Sequence, residues 1–149
     1  MKIAKNTLLI SKLSAFLANR SEIRFAYLFG SVAKGTSGRL SDLDLAVFLD
    51  PSYDFSTNNY GYQSIMTAEL SKLMAKKIDL IILNNASTMI KYQVIKNGIL
   101  IYSRSKAEHR SFHEKTIQQY LDFKPFLKIH SEYMRKRLAE GTFGGIKNG

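Results

Sequence analysis

Two aspartates one residue apart, Asp42 and Asp44, stand at the head of the apolar run LDLAVFL. Unit charges about 4 Å apart repel by ~4 kcal/mol at an effective dielectric near 20, so the pair needs compensation. A divalent cation provides it: Mg²⁺ typically takes one or two carboxylates together with substrate phosphates and water. The plainer alternative is a pair of solvated acids at a strand edge. Upstream of Asp42, with ten residues between, lies Gly30-Ser31, directly after the apolar run IRFAYLF. A glycine between a strand and a helix start lets backbone amides approach an anion with no Cβ in the way. Amides at a helix N-terminus favour phosphate, and the Ser31 hydroxyl can bond a phosphate oxygen. The pattern is not a P-loop, which needs Gly-x4-Gly-Lys followed by Ser or Thr. A third carboxylate, Asp79, sits in IDLIIL among apolar, mostly branched neighbours. Near a strand start it could simply be exposed. If its strand lies beside that of Asp44, it becomes a third metal contact or a base for an attacking hydroxyl.

These groups must be positioned by the elements around them. Apolar spacing predicts a helix over 6 to 19, capped by Asn6 or Thr7, with Leu9, Leu13, Phe16 and Leu17 on one face. Strands are predicted at 23 to 29 and 43 to 49, the second closed by Asp50-Pro51. Strand alternation puts Leu43, Leu45, Val47 and Leu49 toward the core and Asp42 and Asp44 together on the other face. Between the two strands a short turn or helix starts at Ser31, and Gly35 and Gly38 mark a loop. A loop over 52 to 59 leads to a helix over 61 to 76, with Ile65, Met66, Leu70, Leu73 and Met74 on a broad apolar face. Lys76 and Lys77 suit its C-terminus. A strand at 78 to 83, a helix at 87 to 97 between Ser87 and Gly98, and a strand at 99 to 102 follow. The remainder reads as two helices separated at Pro125 and stopped by Gly141, with residues 141 to 149 expected to fray. The fold class is therefore mixed α/β (α+β), a small sheet of about four strands with helices packed against it. It is expected as one domain over 1 to 149, with a core over 1 to 103 and a helical part over 104 to 140.

The glycine loop and the aspartates together carry a resemblance. Gly30-Ser31, ten intervening residues and Asp42-Leu43-Asp44 resemble the signature of the DNA polymerase beta-like nucleotidyltransferase superfamily. The run GSVAKGTSGRLSDLDLAVFL is similar to that of its minimal (MNT) branch. Ser41, Gly35 and the apolar strand after Asp44 match, and Asp79 falls where the family has its third carboxylate. Val32 departs, because many members carry a basic or aromatic residue there, although Lys34 and Arg39 keep positive charge nearby. The resemblance implies the nucleotidyltransferase fold and catalysis by Asp42, Asp44 and Asp79 holding two Mg²⁺ ions against the triphosphate of ATP. Gly30 and Ser31 would hold the β- and γ-phosphates while AMP passes to an acceptor hydroxyl. The C-terminal part looks like that of MNT antitoxins paired with HEPN ribonuclease toxins, where AMP goes to a tyrosine near the toxin's RNase motif. The short chain and the Tyr-x-Asp-Phe-x-Pro stretch at Tyr120 to Pro125 fit that group. The resemblance thus implies a protein adenylyltransferase that neutralises a HEPN toxin. A nucleotidyltransferase acting on an aminoglycoside-type small molecule, and an antitoxin acting by occlusion alone, are the competing readings.

Composition is compatible with this. The 149 residues contain no cysteine, which excludes disulfides and thiolate metal sites and suits a reducing cytoplasm, the expected location. The weak leader-like N-terminus is interrupted by Lys12 and continues as an amphipathic helix, and no run approaches the ~20 apolar residues of a membrane span. A net charge of +10 favours anionic partners. Direct nucleic-acid binding is not expected, since no RNA-stacking motif accompanies the charge. Phe112, Ile117, Tyr120, Leu121, Phe126, Ile129, Tyr133 and Leu138 follow helical spacing. They read as a buried face or, alternatively, as a docking face for a partner helix. His109 and His113 are four apart, a spacing that can bind zinc, but no third ligand follows, and packed or surface histidines are the better reading. Glu108 and Arg110 are open as part of a nucleotide pocket but are not counted among the expected site residues.

Overall fold

The computed structural model describes residues 2–30, 42–53 and 59–140. Ser31, Val32, Lys34, Gly35, Gly38, Arg39 and Ser41, with the short element expected at Ser31, lie outside the described residues, as does the tail from Gly141. The elements run α1 (Lys2–Ala18), β1 (Ile23–Phe29), β2 (Leu43–Leu49), α2 (Asn59–Met74), β3 (Ile78–Ile82), a 3-10 turn (Leu83–Asn85), α3 (Thr88–Asn97), β4 (Ile99–Ser103) and α4 (Lys106–Ala139). The sheet is mixed, in the order β3-β2-β1-β4. β1 pairs antiparallel with β2 and with β4, whereas β2 and β3 are parallel. A parallel pair needs a long crossover, and α2 supplies it.

Both faces of the sheet are covered. On one, Leu43, Leu45, Val47 and Leu49 of β2 meet Leu13 and Leu17 of α1 and Met66 and Leu70 of α2, all buried. Ile65, expected on the apolar face of α2, is exposed, and Tyr62 is buried in its place. On the other face, Phe25, Tyr27 and Ala46 form a second core with Val94 of α3 and Phe112 of α4. This face is the one that carries Asp44. Phe25 stacks on Phe48 at 4.8 Å between ring centroids, and Phe112 lies 5.0 Å from Phe25. The strand that carries Asp44 near its start is thus anchored by aromatic packing further along the same face.

The helix ends differ from expectation in ways that have local causes. α1 begins at Lys2, about a turn before Asn6 and Thr7. α2 stops at Met74 because Ala75 adopts a left-handed φ of 52°, so Lys76 and Lys77 lie past the helix rather than in its last turn. Ser87 does cap α3, accepting from the Ile90 amide at 3.2 Å. Gly98 follows α3 with an ordinary φ of −87°, so it is not there for a left-handed cap. It is there for space: a Cβ would run into the Val94 carbonyl.

The largest correction concerns the C-terminal part. It is one helix of 34 residues, with Pro125 inside it, rather than two. Proline removes a helical N–H and crowds the carbonyl four residues earlier, that of Leu121. Leu121 is 53% exposed, so water can satisfy the freed carbonyl and the helix runs on. At ~1.5 Å per residue, α4 is about 51 Å long. A seven-residue strand is only about 23 Å. Its first half packs: Thr116 is buried and Tyr120 stacks on Tyr92 of α3 at 3.6 Å. Its second half outruns the domain. The buried-face expectation therefore fails for Leu121, Phe126, Ile129, Tyr133 and Leu138, which are all exposed.

His109 belongs to the packed half. Its ring bonds the Tyr27 hydroxyl through Nε2 and lies edge-on to Phe25. Burial, with His113 adding to it, holds the His109 pKa below its ordinary value of 6.5, and burial pushes the Tyr27 hydroxyl up to about 12. A native pKa depressed below the unfolded one means that the unfolded chain binds more protons in that window. The contribution of His109 is full above pH 6.5 and is lost as pH falls through its folded value. The urea midpoint should therefore fall on acidification from pH 7 to 5, and a His109→Gln variant should show a flatter dependence over that interval. Equal slopes would show that His109 does not carry the effect.

Candidate active site

β2 and β3 bring the carboxylates together through register. Parallel pairing sets Asp44 opposite Asp79 in Cα register, and the Leu43 amide donates to the Lys77 carbonyl at 2.9 Å, fixing the strand starts level. Neighbouring strands lie ~4.8 Å apart. Asp42 stands immediately before β2, and its carboxylate is 4.0 Å from the Lys77 ammonium. Asp79 is exposed, Asp42 is 46% exposed at its side chain, and Asp44 is half-buried. The Asp44 carboxyl is held above its ordinary value of 3.8, first by burial, then by the charge of Asp79, then by that of Asp42. The three expected residues are thus neighbours that feel one another. Among the described residues no three acidic or imidazole groups already close on a shared point as metal ligands.

Gly30 completes this end of the sheet. It follows β1, whose last residue Phe29 pairs with Asp44, and it has a φ of +75°. L side chains rarely adopt that conformation. A Cβ there would also fall on the Asp44 carboxylate. The sequence pointed to space for an anion at Gly30; within the protein the space is taken by the Asp44 side chain. Ser31 lies outside the described residues.

The donor set suits Mg²⁺. All three candidate ligands are hard carboxylate oxygens with no nitrogen or sulfur among them, the preference of Mg²⁺ rather than of zinc. Sequence reasoning missed two features. Lys77 had been assigned to a helix end, yet it stands against Asp42. A cleft of about 560 Å³ adjoins Asp79, lined by Gln63, Ser64 and Thr67 of α2 beside Ile78 and Leu80. The spacing of Ser64 and Thr67, three apart on a helix, was the available signal. Gln63 also donates to the Leu80 carbonyl at 2.9 Å, tying α2 to β3 at the cleft.

Other candidates lie elsewhere. Glu108 pairs with Arg24 at 3.5 Å, near the opposite end of β1 from Gly30, and so does not reach the carboxylates. Arg110 is exposed on α4. His109 and His113 are 6.1 Å apart between ring centroids, and His109 is a packed histidine rather than a metal ligand. The second cleft of about 560 Å³, between Phe48, Lys91 and Lys115, is at the far end of β2 from Asp44. No helix among the described residues is long and apolar enough to cross a membrane.

Comparison with known proteins identifies the family. The family "Polymerase beta, Nucleotidyltransferase" matches residues 11–107. The chain is 30% identical over 102 residues to the protein adenylyltransferase MntA of Shewanella oneidensis, covering 68% of this chain and 69% of that one. It is 27% identical over 115 residues to the protein adenylyltransferase MntA of Aphanizomenon flos-aquae, covering 74% and 77%. Among solved structures, a toxin–antitoxin with AMP-PNP superposes with a TM-score of 0.68 at 28% identity, covering 84% of this chain and 98% of that one. The toxin–antitoxin MntA–HepT superposes with a TM-score of 0.64 at 25% identity, covering 86% and 98%.

Proposed function

The chain belongs to the polymerase beta nucleotidyltransferase family and is a nucleotidyltransferase, and from that premise we propose that it transfers AMP from ATP to a tyrosine hydroxyl of a HEPN-type ribonuclease toxin and so neutralises it. The observation that carries this reading is the register that sets Asp44 beside Asp79, with Asp42 two residues away. The similarity to two adenylyltransferases and to toxin–antitoxin complexes supports the acceptor class.

Asp42, Asp44 and Asp79 would hold two Mg²⁺ ions. Bound there, Mg²⁺ neutralises phosphate charge and favours the ionised acceptor. The chain's own residues do the rest. Gly30 and Ser31 would bind the β- and γ-phosphates through backbone amides and the serine hydroxyl. The acceptor side chain approaches Asp79 along the cleft beside Ser64 and Thr67. Its hydroxyl oxygen attacks the α-phosphorus and the bond to the β-phosphate oxygen breaks. Pyrophosphate leaves, and the hydroxyl proton passes to Asp79 or to water. Positioning and charge neutralisation supply most of the rate in such transfers.

The test is incubation of the purified chain with its HEPN partner, Mg²⁺ and ATP labelled at the α-phosphate. The expected result is label on a tyrosine of the partner, loss of its RNase activity, and no label after chelation by EDTA. A complex that silences the RNase without label would make the chain an antitoxin by occlusion. Label on an aminoglycoside but not on the partner would make it a small-molecule enzyme.

A further inference from the structure

We propose that the second half of α4 is the docking element for the partner, and that it inserts into a groove between helices whose rim is acidic. The inference rests on the reading above for the partner's identity, but the surface is argued from this chain. Past Pro125, α4 carries large apolar side chains that stay exposed: Phe126 is 65% exposed, Ile129 66%, Tyr133 54% and Leu138 62%, and the contacts that Phe126 makes with Phe123 and Tyr133 makes with Arg137 lie within α4 itself. Two stripes are present. Phe126, Ile129 and Tyr133, spaced three and four apart, share one side of the helix. Phe123, Leu127, Met134 and Leu138, spaced four, seven and four apart, share another and continue the line of Phe112 and Thr116. Leu127 and Met134 are only partly covered, so even this continuation is not packed within the chain. A helix that lies on a flat surface needs one apolar stripe. A helix apolar on two sides is suited to a groove that encloses it.

Charge selects the occupant. A third side of the same segment carries Lys124, Lys128 and Arg135, at spacings of four and seven. The ion pairs among the described residues involve none of these three. Residues 121 to 140 hold five Lys and Arg against three Asp and Glu, and the whole chain is at +10. A second copy would bring like charges together in this groove, whereas an acidic rim would pair them. Arg137 is not part of the ridge, because its guanidinium bonds the Tyr133 hydroxyl at 3.0 Å.

The experiment uses the full chain and its HEPN partner, with affinity measured by titration calorimetry. A Phe126→Asp, Ile129→Asp double variant should weaken the complex by at least about 100-fold. It should keep the wild-type circular dichroism and urea midpoint, since both positions are already exposed. Lys124→Glu with Lys128→Glu should slow association and reduce its salt dependence. Asp42→Asn with Asp44→Asn should bind with wild-type affinity. Wild-type affinity in the Phe126 and Ile129 variant would overturn the docking assignment, whatever the labelling result. A complex that forms through α4 without AMP transfer would leave docking standing and remove the enzymatic reading. A dimer of the isolated chain that the same double variant dissociates would assign the face to a second copy and overturn the proposal.

Discussion

Asp44→Asn should reduce AMP transfer about a thousandfold or more while leaving the protein at least as stable as the wild type. Loss of an outer partner of a metal ligand alone costs about 10–100-fold in affinity or activity. Asp44 is proposed as a ligand itself, so the effect should be larger. Stability moves the other way. The folded Asp44 pKa is raised by burial and then by the charges of Asp79 and Asp42. A carboxyl with a raised native pKa binds more protons folded than unfolded, so stability falls as pH rises through that window. The ionised form is a cost that is absent below the ordinary value of 3.8 and complete above the folded pKa. Asparagine keeps the shape and removes the charge. The midpoint difference between variant and wild type should therefore be near zero in acid and favour the variant at pH 8, in the absence of metal. Added Mg²⁺ should raise the wild-type midpoint and leave that of the variant nearly unmoved, because only the wild type gains a ligand that binds the native state. An active Asp44→Asn enzyme, or one destabilised at pH 8, would deny Asp44 this position.

The same residue shows what the sequence could and could not convey. Alternation along LDLAVFL placed Asp44 off the core face, and the structure keeps it there. Alternation is local, so one strand is enough to read it. That Asp44 meets Asp79 is a matter of register between β2 and β3, which are separated by a crossover helix. No local rule sets that register, so the residues alone left the pairing conditional on strand order, and the resemblance to a family favoured it. The second core shows the same limit. Phe25, Tyr27 and Phe48 are legible as strand residues, but the helices that cover them, α3 and α4, come from the C-terminal half. Pro125 is the opposite case. The local rule was sound and its consequence was overridden, because an exposed helix can hand its freed carbonyl to water. The unpacked half of α4 was invisible to periodicity for a related reason. Helical spacing of apolar residues announces that something covers a face, without saying whether the cover belongs to the same chain.

Gly30→Ala should cost about 1–3 kcal/mol of stability and about 100-fold in activity, although it adds a single methyl group. Two separate causes combine. The φ of +75° lies in the left-handed region, where an L residue pays about 1–2 kcal/mol. The added Cβ would also overlap the Asp44 carboxylate and drive it from its place beside Asp79. A misplacement of about 1 Å at a reacting centre can cost ~100-fold in rate. Gly61→Ala is the control, because a Cβ there meets nothing and α2 should gain slightly from the better helix former. The two causes separate in a double-mutant cycle with Asp44→Ala. Removing the Asp44 carboxyl group removes the atoms that the new Cβ strikes first, whereas the backbone penalty stays. Coupling of about 1 kcal/mol or more between the two substitutions would mean that Gly30 is small to make room for the carboxylate. Strict additivity would mean that it is glycine for its φ alone, and that the Asp44 side chain sets its own position.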